Sequence, residues 1–161
     1  MSFAATTPAM ATAIVRGLPV QYRDALSGVA DDVVRHRPDA ATWSMVEYLC
    51  HVRDVYVVFA DRIRLALAED HPTFEPLGND RRAEERRYYR AGVDTTLDDL
   101  DSAVERFLEL VDTLDGDDWG RMTSRLPGED RDVLWLVRQA AHEGRHHLGD
   151  IERVGAALHR R

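Results

Sequence analysis

Residues 132–158 read DVLWLVRQAAHEGRHHLGDIERVGAAL, and the period of this stretch decides the fold. On a helical wheel of about 100° per residue with Ala140 at zero, Val133 and Ile151 fall near about 20°. Leu136 and Val154 fall near about −40° and Leu158 near about 0°. One apolar stripe therefore runs the length of the segment, as in a long helix with a single buried face. Three further segments carry the same period. Tyr22, Leu26, Val29 and Val33 recur between Pro19 and Arg35. Met45, Tyr48, Leu49, Val52, Tyr56, Phe59, Ile63 and Leu67 form a stripe that opens at Ser44 and Glu47, the S-x-x-E pattern of a capping box. Leu97, Leu100, Val104, Phe107, Val111 and Leu114 form another, which Gly116 stops. Strand signals are scarce. The sequence predicts an all-α fold, a four-helix bundle forming one domain over 1–161, with helices at about 19–35, 44–69, 96–114 and 132–158. The Ala/Thr-rich residues 1–12 read as a flexible lead-in. Residues 72–94 read as a loop or a short helix, and 117–130 as a turn-rich connection.

The composition narrows the function. The chain has 161 residues, 21 basic against 29 acidic, and a formal charge of −8. A general nucleic-acid surface needs a positive footprint to displace counterions, so nucleic acid is not an expected partner. No apolar run approaches the roughly 20 residues of a membrane span, and the start lacks the basic n-region of a signal peptide. The single cysteine, Cys50, fits a reducing compartment, so the expected location is the cytoplasm. Beside His51 it could suggest a thiol nucleophile, but its phase opposite the stripe of Val52 reads as a small packed residue.

Seven histidines are present, and three of them fall in His142-Glu143-Gly144-Arg145-His146-His147. Bundles build metal sites in their cores from such residues on facing helices. Two pairs have i,i+4 spacing: His142 with His146, and Glu143 with His147. Phase separates them. His147 lies at about −20° and Glu143 at about −60°, facing inward. His146 lies at about −120°, and His142 is almost opposite the core. A carboxylate and an imidazole buried together are costly unless paired or bound to a metal. On the second helix, His51 lies about 100° from Val52, at the edge of the stripe, where it can reach a site between helices. Asp150, three residues after His147, can orient its imidazole or serve as a surface acid. Three protein ligands would leave room for water or substrate, as in a catalytic metal site.

These motifs resemble a known family. Trp43-Ser44, then Glu47-Tyr48-Leu49-Cys50-His51-Val52-Arg53-Asp54-Val55, Arg62 and Pro72, together with His142 to Ile151, resemble the DinB/YfiT-like proteins over about Leu18 to Val154. The likeness is greatest to the actinobacterial branch related to the metal-binding domain of mycothiol-dependent maleylpyruvate isomerase. The resemblance implies a four-helix bundle, frequently a homodimer, with a divalent metal held by one histidine of the second helix and two ligands of the fourth. Carried over by position, these are His51, Glu143 and His147, with glutamate where many members have histidine. It implies a small-molecule substrate and transfer of a low-molecular-weight thiol such as mycothiol or bacillithiol. The donor types suit zinc or nickel.

Two other readings stay open. His142-Glu143-x-x-His146 is also the zincin string, in which Glu143 is a general base and His142 and His146 hold zinc. Alternatively, the bundle is a non-catalytic dimeric metal-binding protein, which a fourth protein ligand closing the site would favour. Arg81, Arg82, Arg86, Arg87 and Arg90 could attract an anionic substrate or form a solvated face. Tyr88, Tyr89 and Trp119 could line a pocket mouth or pack in the core.

Overall fold

The computed structural model describes residues 5–126 and 128–158; residues 1–4 of the expected lead-in and 159–161 of the expected domain lie outside these. Four long helices form the body: α1 (Pro8–Leu26), α3 (Met45–Ala68), α5 (Val93–Asp112) and α6 (Val133–Leu158). Short helices α2 (Asp31–Arg35) and α4 (Asn79–Glu85) and a 3-10 turn at Tyr88–Arg90 fill the connections. Around the bundle the order is α1, α5, α3, α6, each helix packing on the next and α6 on α1. The links from α1 to α3 and from α5 to α6 therefore cross the bundle, and α3 and α6 lie side by side. That adjacency positions the site.

The first helix differs from its sequence expectation. It starts at Pro8, where Thr7 Oγ1 accepts the Met10 N–H at 3.2 Å, and runs through Pro19 to Leu26. So residues 8–12 of the expected lead-in are helical, and the helix expected over 19–35 divides into the end of α1 and the whole of α2. Pro19 has no N–H for the Val15 carbonyl. The buried stripe of Ala11, Val15, Leu18, Tyr22 and Leu26 nevertheless continues across it. The break comes at Gly28, whose φ of 72° lies in the left-handed region that favours glycine.

Ser44 and Glu47 form the capping box of α3, with Ser44 N–H and Oγ–H donating to Glu47 Oε2 at 2.9 and 2.7 Å. Arg37 Nε donates to the same carboxylate at 2.8 Å, which ties the α2–α3 loop to the helix start. Burial opposes the ionised form of Glu47, but the bonds from Arg37 and Ser44 outweigh it and hold the pKa below the ordinary value. Glu47→Ala removes the cap and the buried partner of an ion pair whose other member, Arg37, is exposed. It is expected to lower stability by about 2 kcal/mol, read as a fall in thermal midpoint with the fold kept.

Residues 117–130 hold more order than their turn chemistry suggests. Met122–Ser124 and Asp130–Asp132 pair as antiparallel strands β1 and β2, with Thr123 opposite Arg131. β2 leads directly into α6, where Asp132 Oδ1 accepts the Trp135 N–H at 2.7 Å. Arg121 Nε and Nη2 donate to the Ala66 and Glu69 carbonyls at 2.5 and 3.0 Å, covering the C-terminal end of α3. No helix is long and apolar enough to cross a membrane among the described residues.

Candidate metal centre

The apolar stripe of α6 buries Val133, Leu136, Val137, Ala140, Ala141, Leu148, Ile151 and Val154, with Gly144 on the same face. This fixes the rotation of the helix and turns Glu143 and His147 toward α3. His51, 1% exposed, meets them from α3. His147 Nε2 lies 3.2 Å and His51 Nε2 3.5 Å from Glu143 Oε2. The rings of His51 and His147 stand edge to face, with centroids 4.7 Å apart. The structure thus brings the side chains of His51, Glu143 and His147 together, one donor atom from each lying within 4.8 Å of the others.

The neighbours hold these atoms in place. Asp150 Oδ2 lies 2.7 Å from His147 Nδ1, so it accepts that N–H and leaves Nε2 to face Glu143. Gln139 Nε2 donates to the second oxygen of Glu143 at 2.7 Å. Tyr48 stacks on His147 with centroids 5.4 Å apart, and Trp43 packs against His51 at 5.5 Å. His51 Nδ1 is buried with no hydrogen-bond partner among the described residues, leaving this imidazole only partly satisfied by the protein. Burial raises the pKa of Glu143, but the bonds from His147 and His51 outweigh it and hold the carboxyl far below its ordinary value. For His147, burial works against the cation, and the bonds to Glu143 and Asp150 prevail, raising its pKa. Two nitrogens and one carboxylate oxygen that converge, with Glu143 and His147 anchored from behind by Gln139 and Asp150, form a donor set that suits a borderline divalent ion.

His142 and His146 are exposed on the other face of α6, with rings stacked 5.7 Å apart. His146 Nε2 reaches Asp150 Oδ2 at 3.5 Å and belongs to a second donor group with His147 and Asp150; His142 belongs to neither group among the described residues. The other sequence candidates also find places. Cys50 is fully buried against the Tyr88 carbonyl, and burial pushes its thiol up to about 11, which disfavours a nucleophilic role. Arg82 and Arg86 of the arginine run hold Asp54 of α3 at 3.3 and 3.2 Å. Tyr88 is buried and donates to Asp54 at 2.6 Å, whereas Tyr89 is exposed and Trp119 half-buried.

A cleft of about 290 Å³ opens beside the donor atoms, with His51, Glu143 and Gln139 at one side and Phe59, Arg62, Leu77, Arg125 and Trp135 around the rest. In the sequence neither Gln139 nor Arg125 is singled out, and Arg62 is named without a role. Gln139 carried a usable signal, the i,i+4 spacing to Glu143 on an inward-facing helix. Arg62 is marked only by the family resemblance, with no role attached, and Arg125 carries no signal, because the two meet at the cleft only once the chain is folded.

Comparison with known proteins agrees with this architecture. A Bacillus subtilis protein, YfiT, described as "a probable metal-dependent hydrolase with an unusual four-helix bundle topology", superposes with a TM-score of 0.87 at 16% identity, over 98% of this chain and 90% of its own. At that identity the likeness shows the fold. A Geobacillus kaustophilus protein provisionally named a metal-dependent hydrolase is 26% identical over 141 residues, 86% of this chain and 79% of that protein. The family model of the DinB superfamily matches residues 16–151, a span running from α1 into α6 and including His51, Glu143 and His147, and the chain is a member of that superfamily.

Proposed function

We propose that this protein is a divalent-metal-dependent enzyme for a small molecule, with His51, Glu143 and His147 as ligands and zinc or nickel as the ion. On this reading a low-molecular-weight thiol such as mycothiol is transferred to an electrophile. One observation carries it: the three donor atoms converge beside an open cleft, with no fourth protein donor in their group among the described residues. Three protein ligands leave positions free for exchange, the arrangement of a catalytic rather than a structural site. A bound divalent ion supplies one thing here, a lowered pKa for a thiol or water coordinated to it. The chain's own groups set the stage. Asp150 fixes the tautomer of His147, Gln139 fixes the rotation of Glu143, and Tyr48 and Trp43 limit the swing of the two imidazoles. Phe59 and Trp135 give the cleft an apolar wall. A second reading places water where the thiol would act, giving hydrolysis; the provisional name of the Geobacillus relative favours it.

The test is metal content of untagged protein by mass spectrometry, for the wild type, His147→Ala and His142→Ala. The expected result is stoichiometric metal in the wild type and in His142→Ala, and a loss of at least about tenfold in affinity in His147→Ala. Loss in His142→Ala alone would move the ligands to the zincin register, and a wild type that takes up neither zinc nor nickel would end the metal reading. Mycothiol consumption against an electrophile panel, beside ester hydrolysis without thiol, then separates the two chemistries. Metal without turnover in either assay would favour the non-catalytic binding protein.

A further inference from the structure

We propose that the cleft beside His51 and Glu143 takes a small molecule bearing a carboxylate, and that the Arg62 guanidinium binds it. This names a substrate class for the metal-dependent reading and rests on that cleft being the substrate site.

Arg62 is a half-buried cation whose surroundings give it no carboxylate. It stands between two buried rings, with its guanidinium carbon 5.3 Å from the centroid of Phe59 and 5.4 Å from that of Phe74. Nη2 donates to the Glu75 carbonyl at 2.7 Å, which fixes the plane of the fork. It makes no ion pair with an acid among the described residues, in a chain with eight more acids than arginines, 29 against 21. A second cation, Arg125, lines the same cleft and uses its charge on Glu129 at 2.9 Å. Two acids also line it: Asp80 is exposed at the rim, and the Glu143 carboxylate is engaged by Gln139 and His147. Burial, and then the proximity of Arg125 and Arg82, work against the Arg62 cation, so an incoming anion relieves an existing strain in the field. A guanidinium held between two aromatic rings, with donors beyond its one bond to Glu75, is suited to bidentate capture of a planar anion. The cleft volume, about 290 Å³, with Phe59, Leu77 and Trp135 on its walls, suits one small, partly apolar acid.

Benzoate is the probe and benzamide its neutral match, titrated calorimetrically into zinc-loaded and chelator-treated protein. Wild type is expected to bind benzoate at least about tenfold more tightly than benzamide in both forms. Arg62→Gln is expected to lose about tenfold or more in benzoate affinity while keeping its zinc content and circular dichroism, and Arg62→Lys to fall between, since charge remains and the fork is lost. Equal binding of benzoate and benzamide, no benzoate binding to wild type, or unchanged binding in Arg62→Gln would each overturn the proposal. Benzoate binding that needs zinc and ignores Arg62 would place the carboxylate on the metal and also overturn it. If wild type takes up no zinc but selects benzoate through Arg62, the metal reading fails and this one stands. Should Arg62→Gln fail to fold, the Arg62→Lys comparison decides.

Discussion

Asp54→Ala is expected to destabilise the protein by about 3 kcal/mol, a loss of about 6–12 °C in thermal midpoint. Asp54 lies on α3, 2% exposed, and its carboxylate is the hub of a network. Arg53 pairs with Oδ1 at 2.8 Å, Arg82 and Arg86 approach Oδ2 at 3.3 and 3.2 Å, and the Tyr88 hydroxyl donates to Oδ2 at 2.6 Å. Removing the acid leaves a buried hydroxyl without its acceptor and gathers like charges, which costs more than the pair itself contributes. The arginines are partly exposed and can rehydrate, so the low end of the range applies. Burial raises the pKa of Asp54, but the Tyr88 bond and the Arg53 charge outweigh it, and the folded value is lowered. The sign follows: a lowered folded pKa contributes stability above the ordinary carboxylate range, and this stability is lost as the pH falls through the folded value. Asp54→Asn, which does not titrate, should therefore show its full deficit in midpoint at pH 6–7. The gap to wild type should close below about pH 4, as the wild-type acid protonates. A gap independent of pH would mean that the charge of Asp54 does not matter. The same network pins α4 to α3, and the start of α4, with Gly78 and Asn79, lines the cleft, so the variant should also weaken binding there.

Much of the site was legible because α6 has one dominant period. Its stripe alone turns Glu143 and His147 inward and His142 outward, and the structure has them so. His51 was readable only as an edge residue, since α3 is buried on most of its circumference and a single stripe underdescribes it. The first helix was misplaced for a local reason. Pro19 looks like a first-turn proline, yet Thr7-Pro8 has the same start signal and wins, because the apolar period extends back to Ala11. The arginine run shows the opposite failure. Its charges, alternating with Glu84 and Glu85, read more readily as a solvated face than as a ligand site, and the structure spends Arg82 and Arg86 on Asp54, a contact between elements that no local pattern encodes. The β1–β2 pair is three residues per strand, too short for a period to register.

Gly144→Ala is the other large effect, and it links packing to chemistry. Ordinarily alanine stabilises a helix by about 1 kcal/mol relative to glycine. Here a Cβ on Gly144 would stand 2.4 Å from both Leu18 Cδ1 and Tyr56 Oη. The absence of a side chain lets α6 come close to α1 and α3, and two buried tyrosines use that closeness. Tyr22 donates to the Gly144 carbonyl at 2.8 Å and Tyr56 to the Ala140 carbonyl at 3.1 Å. An added methyl must push α6 outward or displace the Leu18 methyl and the Tyr56 hydroxyl, both buried, so the clash exceeds the propensity gain. The expected net loss is about 1–3 kcal/mol in denaturant unfolding. Because Gly144 lies between Glu143 and His147, the same displacement should separate them from His51. Metal uptake should fall although every proposed ligand remains. Tyr56→Phe removes one of the two clashing atoms, so the double variant should recover part of the stability lost, a positive coupling in a double-mutant cycle. Additive losses would place the strain elsewhere, and a Gly144→Ala protein as stable as wild type would show that the bundle repacks around the methyl.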